Sequence, residues 1–246
     1  MCLFCLLYFT QVDAQIKVPS ISNIIKGIGE KAEIKNILIS GNKKTQEQVI
    51  IRELGFGIGD SLPVSNIAGV LDRLKLNLLN TKLFSEVQMN VKNWDDCGLD
   101  LEVKVVEKWY IIPIPIFQLA DRNLNEWWVD RNHDFKRIQY GVTLDWANFR
   151  GRNEKLIISA SLGFAQMFNI NYEMPNLSKN GRLGASFNIM MMQTKRMPYD
   201  TYKDKLVFYY DDDMIKRSMD LSSRLLIHKN IYIQHYIEGK FSYQWV

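Results

Sequence analysis

The stretch IKNILISGNKKTQEQVIIRELGFGIGD, residues 34–60, carries alternate glycines at Gly55, Gly57 and Gly59 that have two incompatible readings. A dinucleotide-binding loop runs G-x-G-x-x-G, follows a strand and opens a helix. Here the run is G-x-G-x-G, follows a helical pattern and leads to Pro63. That pattern sets Val49, Ile50 and Leu54 on one stripe, behind Thr45 and Gln48 at the spacing of a capping box. Gly55 is therefore placed to close the helix, and Gly57 and Gly59 let the chain reverse. Upstream, Ile34, Ile37 and Ile39 give a short strand that stops at the turn signal Ser40-Gly41-Asn42. The stretch reads as strand, helix and joint, with no phosphate site.

Beyond the joint, Pro63 and Ser65 announce a second helix. Ile67, Val70, Leu71, Leu74 and Leu78 fall on one of its faces, a stripe that belongs to a core. After Leu83-Phe84 the period drops to two. Val87, Met89 and Val91 oppose Glu86, Gln88 and Asn90, and Leu99, Leu101, Val103 and Val105 repeat the alternation past a turn at 93–98. The predicted order is β-α-α-β-β.

These residues resemble a POTRA (polypeptide-transport-associated) domain over 33–108. The resemblance is carried by Gly41-Asn42 closing the first strand, Arg52-Glu53-Leu54 ending the helix, the Gly59-Asp60 link and the Leu83-Phe84 step into the hairpin. It implies a three-stranded sheet with two helices on one face and an edge strand at Ser85, Glu86, Val87, Gln88, Met89, Asn90 and Val91. Such an edge presents unpaired N–H and C=O groups to an extended client segment. The other reading is that Glu86, Gln88 and Asn90 merely solvate it.

From Lys108 onward the pattern becomes long alternating segments between polar turns. Val142, Leu144 and Trp146 form one apolar face, and Ile158, Ala160, Leu162 and Phe164 another. Leu183, Ala185, Phe187, Ile189 and Met191 form a third, Met219, Leu221, Leu225 and Ile227 a fourth, and Ile231, Ile233, Ile237, Phe241, Tyr243 and Trp245 a fifth. A tilted strand needs roughly nine to eleven residues to cross a bilayer. The second face of each segment is small and polar, as for a wall between lipid and a polar lumen. No stretch reaches the length of an apolar membrane helix. Trp127-Trp128, Phe149, Phe168 and Trp245 are candidate interfacial aromatics.

Residues 120–156 resemble the first barrel strands of outer-membrane assembly proteins of the bacterial surface-antigen superfamily. The carriers are Asp121-Arg122-Asn123, Glu126-Trp127-Trp128 and the turn Asn148-Phe149-Arg150-Gly151-Arg152-Asn153. The resemblance implies a barrel seam at Tyr140, Gly141, Val142, Thr143 and Leu144. The fold class expected is an α+β POTRA domain followed by an antiparallel transmembrane β-barrel. Barrels of that superfamily have about sixteen strands, whereas seven or eight candidates are visible here, so 109–246 reads as the N-terminal part of a barrel that is incomplete in this chain. Open strand edges in hydrocarbon cost several kcal/mol for each unpaired backbone group.

At the N-terminus, Cys2 to Phe9 is an apolar run followed by Val12-Asp13-Ala14, the signature of a signal peptide cut between Ala14 and Gln15, with 15–32 as a linker. A buried N-terminal strand is the alternative. Cys2 and Cys5 fall in that segment, which leaves Cys97 alone, incidental in the turn NWDDCG. The formal net charge of +4 is spread without a basic stripe, which argues against nucleic acid. His133, His228 and His235 have no metal spacing, no G-x-S-x-G occurs, and Asp211-Asp212-Asp213 reads as a turn.

The function expected is therefore non-enzymatic and needs no cofactor. It is assembly or translocation at the bacterial outer membrane, with the POTRA domain in the periplasm. The partners are unfolded outer-membrane protein clients, outer-membrane lipid and accessory periplasmic proteins. A passive channel or surface antigen with a structural POTRA domain, or a soluble periplasmic binding protein, are the alternatives.

Overall fold

The computed structural model describes residues 31–95, 98–120, 123–130, 132–178, 181–202, 205–211, 213–228 and 234–245. The segment expected to be a signal peptide, with Ala14 and Gln15, Cys2, Cys5, Cys97, Asp121, Arg122, Asp212, Ile231, Ile233 and all of the expected linker except Lys31 and Ala32 lie outside the described residues.

The first unit is built from β1 (Lys31–Ser40), α1 (Glu47–Leu54), β2 (Ser61–Pro63), α2 (Ile67–Asn80), β3 (Phe84–Asp95) and β4 (Gly98–Glu107). Its sheet runs β2-β1-β4-β3, with β1 parallel to β4 and the other pairs antiparallel. The short β2 adds a strand that the local pattern does not reveal. Periodicity explains the core. Val70, Leu74 and Leu78 of α2 recur every four residues, and Leu99, Leu101, Val103 and Val105 of β4 every two, and all are buried. Ile34, Ile50, Leu78, Phe84, Val87, Leu99, Leu101 and Val103 are almost fully enclosed. Each such side chain contributes roughly 1.5–3 kcal/mol of transfer free energy.

The joint follows the sequence. Gly55 is left-handed (φ 73°), and its N–H meets the Ile51 and Arg52 carbonyls. Gly59 also has positive φ (91°), and Gly57 N–H is held by Asp60 Oδ2 at 2.7 Å. The capping box does not form. Gln46 is the N-cap of α1 and makes no side-chain capping bond. The Thr45 hydroxyl instead meets Tyr110 Oη at 3.1 Å and Asn148 Nδ2 at 2.8 Å.

The second unit is a seven-stranded antiparallel sheet in the order β13-β12-β9-β8-β7-β6-β5. Its strands are β5 (Ile111–Leu119), β6 (Ile138–Phe149), β7 (Glu154–Gly163), β8 (Ala165–Met174), β9 (Leu183–Thr194), β12 (Lys216–His228) and β13 (Gln234–Trp245), with β10 (Arg196–Tyr202) and β11 (Lys205–Tyr210) forming a separate hairpin. The seven strands contain 9 to 13 residues. That suits a bilayer crossing better than the five or six residues usual in soluble sheets. Among the described residues no helix is long and apolar enough to cross a membrane.

Register gathers each strand's alternation onto common faces. One face carries Val142, Ala160, Phe168, Met191, Met219 and Tyr243 in a row across the sheet, with Leu144, Ile158, Ile170, Ile189, Leu221 and Phe241 beside them. Val142, Phe168, Met191, Tyr243, Ile189 and Phe241 are exposed. Soluble monomers rarely expose an apolar patch above a few hundred Å², whereas lipid requires one. On the opposite face Thr143 meets Ser159 at 2.9 Å, Asn188 meets Asn169 at 2.8 Å and Arg224 meets Glu238 at 2.9 Å, a polar lining. The sheet is therefore a partial barrel wall.

Two of its strands, β5 and β8, lie outside the five alternating segments read from sequence. Of the candidate interfacial aromatics, Trp127 is buried, with its indole N–H on Asp134 O at 3.0 Å and its ring edge-on to Trp128, His133 and Phe135. It packs a loop and faces no lipid. Phe164 lies just past β7 and packs on Phe208 at 5.3 Å.

Candidate functional site

The residues from Ser85 to Val91 lie in β3, the last strand of the first sheet, with no strand beyond it among the described residues. Register slips between Phe84 and Glu86 and again between Val91 and Asn93, so Glu86–Val91 is an uninterrupted edge between two bulges. Val87 points into the core and Met89 is half-buried, while Ser85, Glu86, Gln88 and Asn90 are exposed. Beside this edge Leu71, Asp72 and Lys75 of α2 and Gln88, Met89 and Asn90 of β3 enclose an open groove of about 220 Å³. Its lining is mostly polar, with Leu71 and Met89 as the apolar members and Asp72 and Lys75 as charges on the helical side. That arrangement suits an extended chain bound through its backbone.

The residues Tyr140, Gly141, Val142, Thr143 and Leu144 do not form an edge. They lie in β6, which pairs with β5 on one side and β7 on the other. A side chain at Gly141 would lie 2.1 Å from Ala160 O, so strands are packed closely here. Among the described residues the sheet ends one strand earlier, at β5. The available signal was Pro113 and Pro115, since proline has no N–H to give a ladder and in sheets is confined to edges, strand starts or bulges.

Between the two units sits a polar knot whose members share no local sequence motif. The loop after β1 is pressed against the end of β4. A side chain at Gly41 (φ 91°) would lie 1.9 Å from Val105 O, so only glycine fits without displacement. The loop's N–H groups at Lys44 and Thr45 donate to the Glu107 carboxylate at 3.0 and 2.6 Å. Tyr110 Oη donates to Leu83 O at 3.1 Å and meets the Thr45 hydroxyl. From the barrel side comes the turn between β6 and β7. Asn148 Nδ2 donates to Thr45 Oγ1, Gln46 N–H donates to Gly151 O at 2.9 Å, and Gln46 Nε2 donates to Arg150 O at 3.1 Å. Asn148 Oδ1 accepts Asn153 N–H at 2.9 Å, which fixes the side chain from its other end. Thr45, Tyr110 and Asn148 are buried, and Trp146 and Ala147 pack against the first unit's core.

Satisfied buried networks hold groups in one arrangement because an unpaired member would be costly. Burial pushes the Glu107 carboxyl up, but the Thr45 hydroxyl and the loop N–H groups of Thr45, Lys44 and Lys43 outweigh it and hold the group below its ordinary value. Burial raises the Tyr110 phenol, which keeps it neutral and able to donate. On the barrel side Arg150 pairs with Glu154 at 3.0 Å, and Tyr172 Oη donates to the same carboxylate at 2.6 Å. The knot thus anchors the loop after β1 and the end of β4 to the end of the barrel wall at which β6 turns into β7. Among the described residues no group of three His, Cys, Asp or Glu side chains is placed to hold a metal ion.

Comparison with known proteins agrees with this architecture. The sequence profile of the POTRA family, described as surface antigen variable number repeat, matches residues 32–108. No curated protein sequence matches the chain. The structure is similar to BamA from Haemophilus ducreyi lacking POTRA domains 1-3, with 16% identity and a TM-score of 0.60, over 87% of this chain and 36% of that one. It is also similar to CdiB from Acinetobacter baumannii, with 16% identity and a TM-score of 0.51, over 88% of this chain and 39% of that one. At such identity the likeness is one of fold, and the chain spans under two fifths of either structure. Residues 32–108 thus match the POTRA family model, and the domain they form leads into an antiparallel sheet with the fold of a partial β-barrel like those of the two solved structures.

Proposed function

We propose that the protein is a non-enzymatic assembly or translocation factor of the bacterial outer membrane, with its POTRA domain in the periplasm. The β3 edge takes up an extended segment of an unfolded outer-membrane protein by strand addition. Main-chain bonds carry the affinity, and Leu71 and Met89 accept alternate apolar side chains. The barrel wall, lipid on one face and polar on the other, then receives the segment as a further strand. Outer-membrane lipid and accessory periplasmic proteins are the other partners in this reading.

One observation carries the proposal: a domain whose strand edge, among the described residues, is unpaired and adjoins a groove is tied by a buried knot to the end of a sheet with one apolar face. Flexible tethering would let a captured segment wander, whereas the knot delivers it at a fixed place. The experiment is insertion of an urea-denatured outer-membrane protein into liposomes that carry the full chain. Wild type accelerates insertion over empty liposomes. The double variant Gln88→Lys with Asn90→Lys, which sets two ammonium groups on the edge, loses the acceleration. Equal acceleration by both chains contradicts capture at β3, and ion conductance with no acceleration favours a passive channel.

A further inference from the structure

We propose that the outward edge of β5 is a template along only its far half. An added strand zips over Phe117 and Leu119 and stops at the prolines, which leaves the half nearest the POTRA domain unzipped. This deepens the strand-addition reading above and rests on it.

The direction of each backbone group follows from the register. Tyr110 O accepts Ala147 N–H at 2.8 Å, and Ala120 N–H donates to Arg137 O at 2.8 Å. Both pairs continue the register that sets Ile111 opposite Trp146 and Leu119 opposite Ile138. In an antiparallel ladder successive residues alternate between facing the partner and facing away. Even-numbered residues of β5 therefore turn their backbone groups toward β6. Ile111, Pro113, Pro115, Phe117 and Leu119 turn theirs to the open side.

At that open side the near half is disabled three times over. Pro113 and Pro115 have no N–H to offer. The Ile111 carbonyl is already taken by the indole N–H of the exposed Trp109. A strand laid against this half would leave its own carbonyls opposite both prolines without donors, and in hydrocarbon nothing else can satisfy them. Phe117 and Leu119 have both groups, and among the described residues no strand pairs with them on that side.

Side chains repeat the asymmetry. Next to the POTRA domain β5 is apolar on both faces, with Ile112 and Ile114 exposed on the polar side of the wall. In the far half Gln118 opposes Gln139 on the polar face, and Phe117 opposes Tyr140 on the lipid face. The occupant this fits is a client segment of alternating apolar and polar residues, which extends both faces of the sheet. Prolines and a capped carbonyl are also devices that prevent unwanted edge pairing, and here they are confined to one half.

The test is hydrogen–deuterium exchange on the full chain in phospholipid nanodiscs, with a synthetic peptide of alternating valine and threonine as the probe. The Phe117 and Leu119 amides should slow by about tenfold or more, and the Ile111 amide should not change. In the double variant Pro113→Thr with Pro115→Thr, protection should spread to residues 111, 113 and 115. Equal protection of Ile111 and Phe117 in wild type overturns the inference. Protection of the β3 amides with none on β5 overturns it while the POTRA reading stands, and protection on neither strand overturns both.

Discussion

Replacing Gly151 by alanine should unfasten the POTRA domain from the barrel wall without unfolding either. Gly151 has φ 72°, and a Cβ there would lie 2.1 Å from Lys44 O and 3.1 Å from Lys44 C. The left-handed conformation costs a residue with a Cβ about 1–2 kcal/mol. The overlap is with backbone, so no side-chain rotation relieves it, and the loop carrying Lys44 must move by roughly 1 Å to reach van der Waals distance. Such a shift breaks Gln46 N–H to Gly151 O and Gln46 Nε2 to Arg150 O, and strains Asn148 to Thr45. Each bond is worth about 1 kcal/mol net. Strain and lost bonds together give about 2–4 kcal/mol, which speeds opening of the junction roughly 30-fold to several hundred-fold. The assay is amide exchange at Gln46, whose N–H bridges the two units, with amides of β4 and β7 as internal standards for global stability. The matched control is Gly57→Ala, where nothing lies within 4 Å of the added Cβ and φ is not positive. That change should stay within about 0.5 kcal/mol. Unchanged Gln46 exchange in Gly151→Ala, or equal effects of the two substitutions, would refute the reasoning.

Two further outcomes follow from the same structure. Because the Glu107 carboxyl is held below its ordinary value of 4.5 in the folded protein, its contribution to the knot is present above that pH and is lost as pH falls through the depressed value; the spread of nitroxide distances between the POTRA domain and the sheet should widen on acidification, and in Glu107→Gln it should be wide already and flat with pH. Ile189→Lys, on the lipid face, should destabilise the chain in vesicles by about 2–4 kcal/mol. Asn188→Lys on the polar face should cost only about 1 kcal/mol through its bond to Asn169, as urea unfolding from the bilayer would measure.

The POTRA domain was legible because each element declares itself within a turn or a strand. Val70, Leu74 and Leu78 need only their own helix to be seen as a stripe, and Gly55 needs only the helix it caps. The knot was not legible, because its side-chain contacts join residues 103 and 104 positions apart. It also misled the local reading, since Thr45 looked like a helix cap while its hydroxyl was committed to Tyr110 and Asn148. The edge of the described sheet lies one strand before the expected seam for a related reason. Pro113, Pro115 and apolar side chains on both faces hide the alternation of β5, and the two prolines are features of an edge. In β8 the alternation of Phe168, Ile170 and Tyr172 with Asn169, Asn171 and Glu173 was present in the sequence. It follows β7 through so tight a turn, at Gly163 (φ 103°), that the two strands ran together.

The central claim is that the β3 edge captures extended clients. A photo-crosslinking amino acid at Gln88 or Asn90, in the full chain expressed with its N-terminal segment, addresses it most directly, with Leu76 on the exposed side of α2 as the control position. The account predicts adducts with unfolded outer-membrane proteins at Gln88 and Asn90 that are absent at Leu76. Adducts of equal yield at all three positions, or none at the edge, would contradict it.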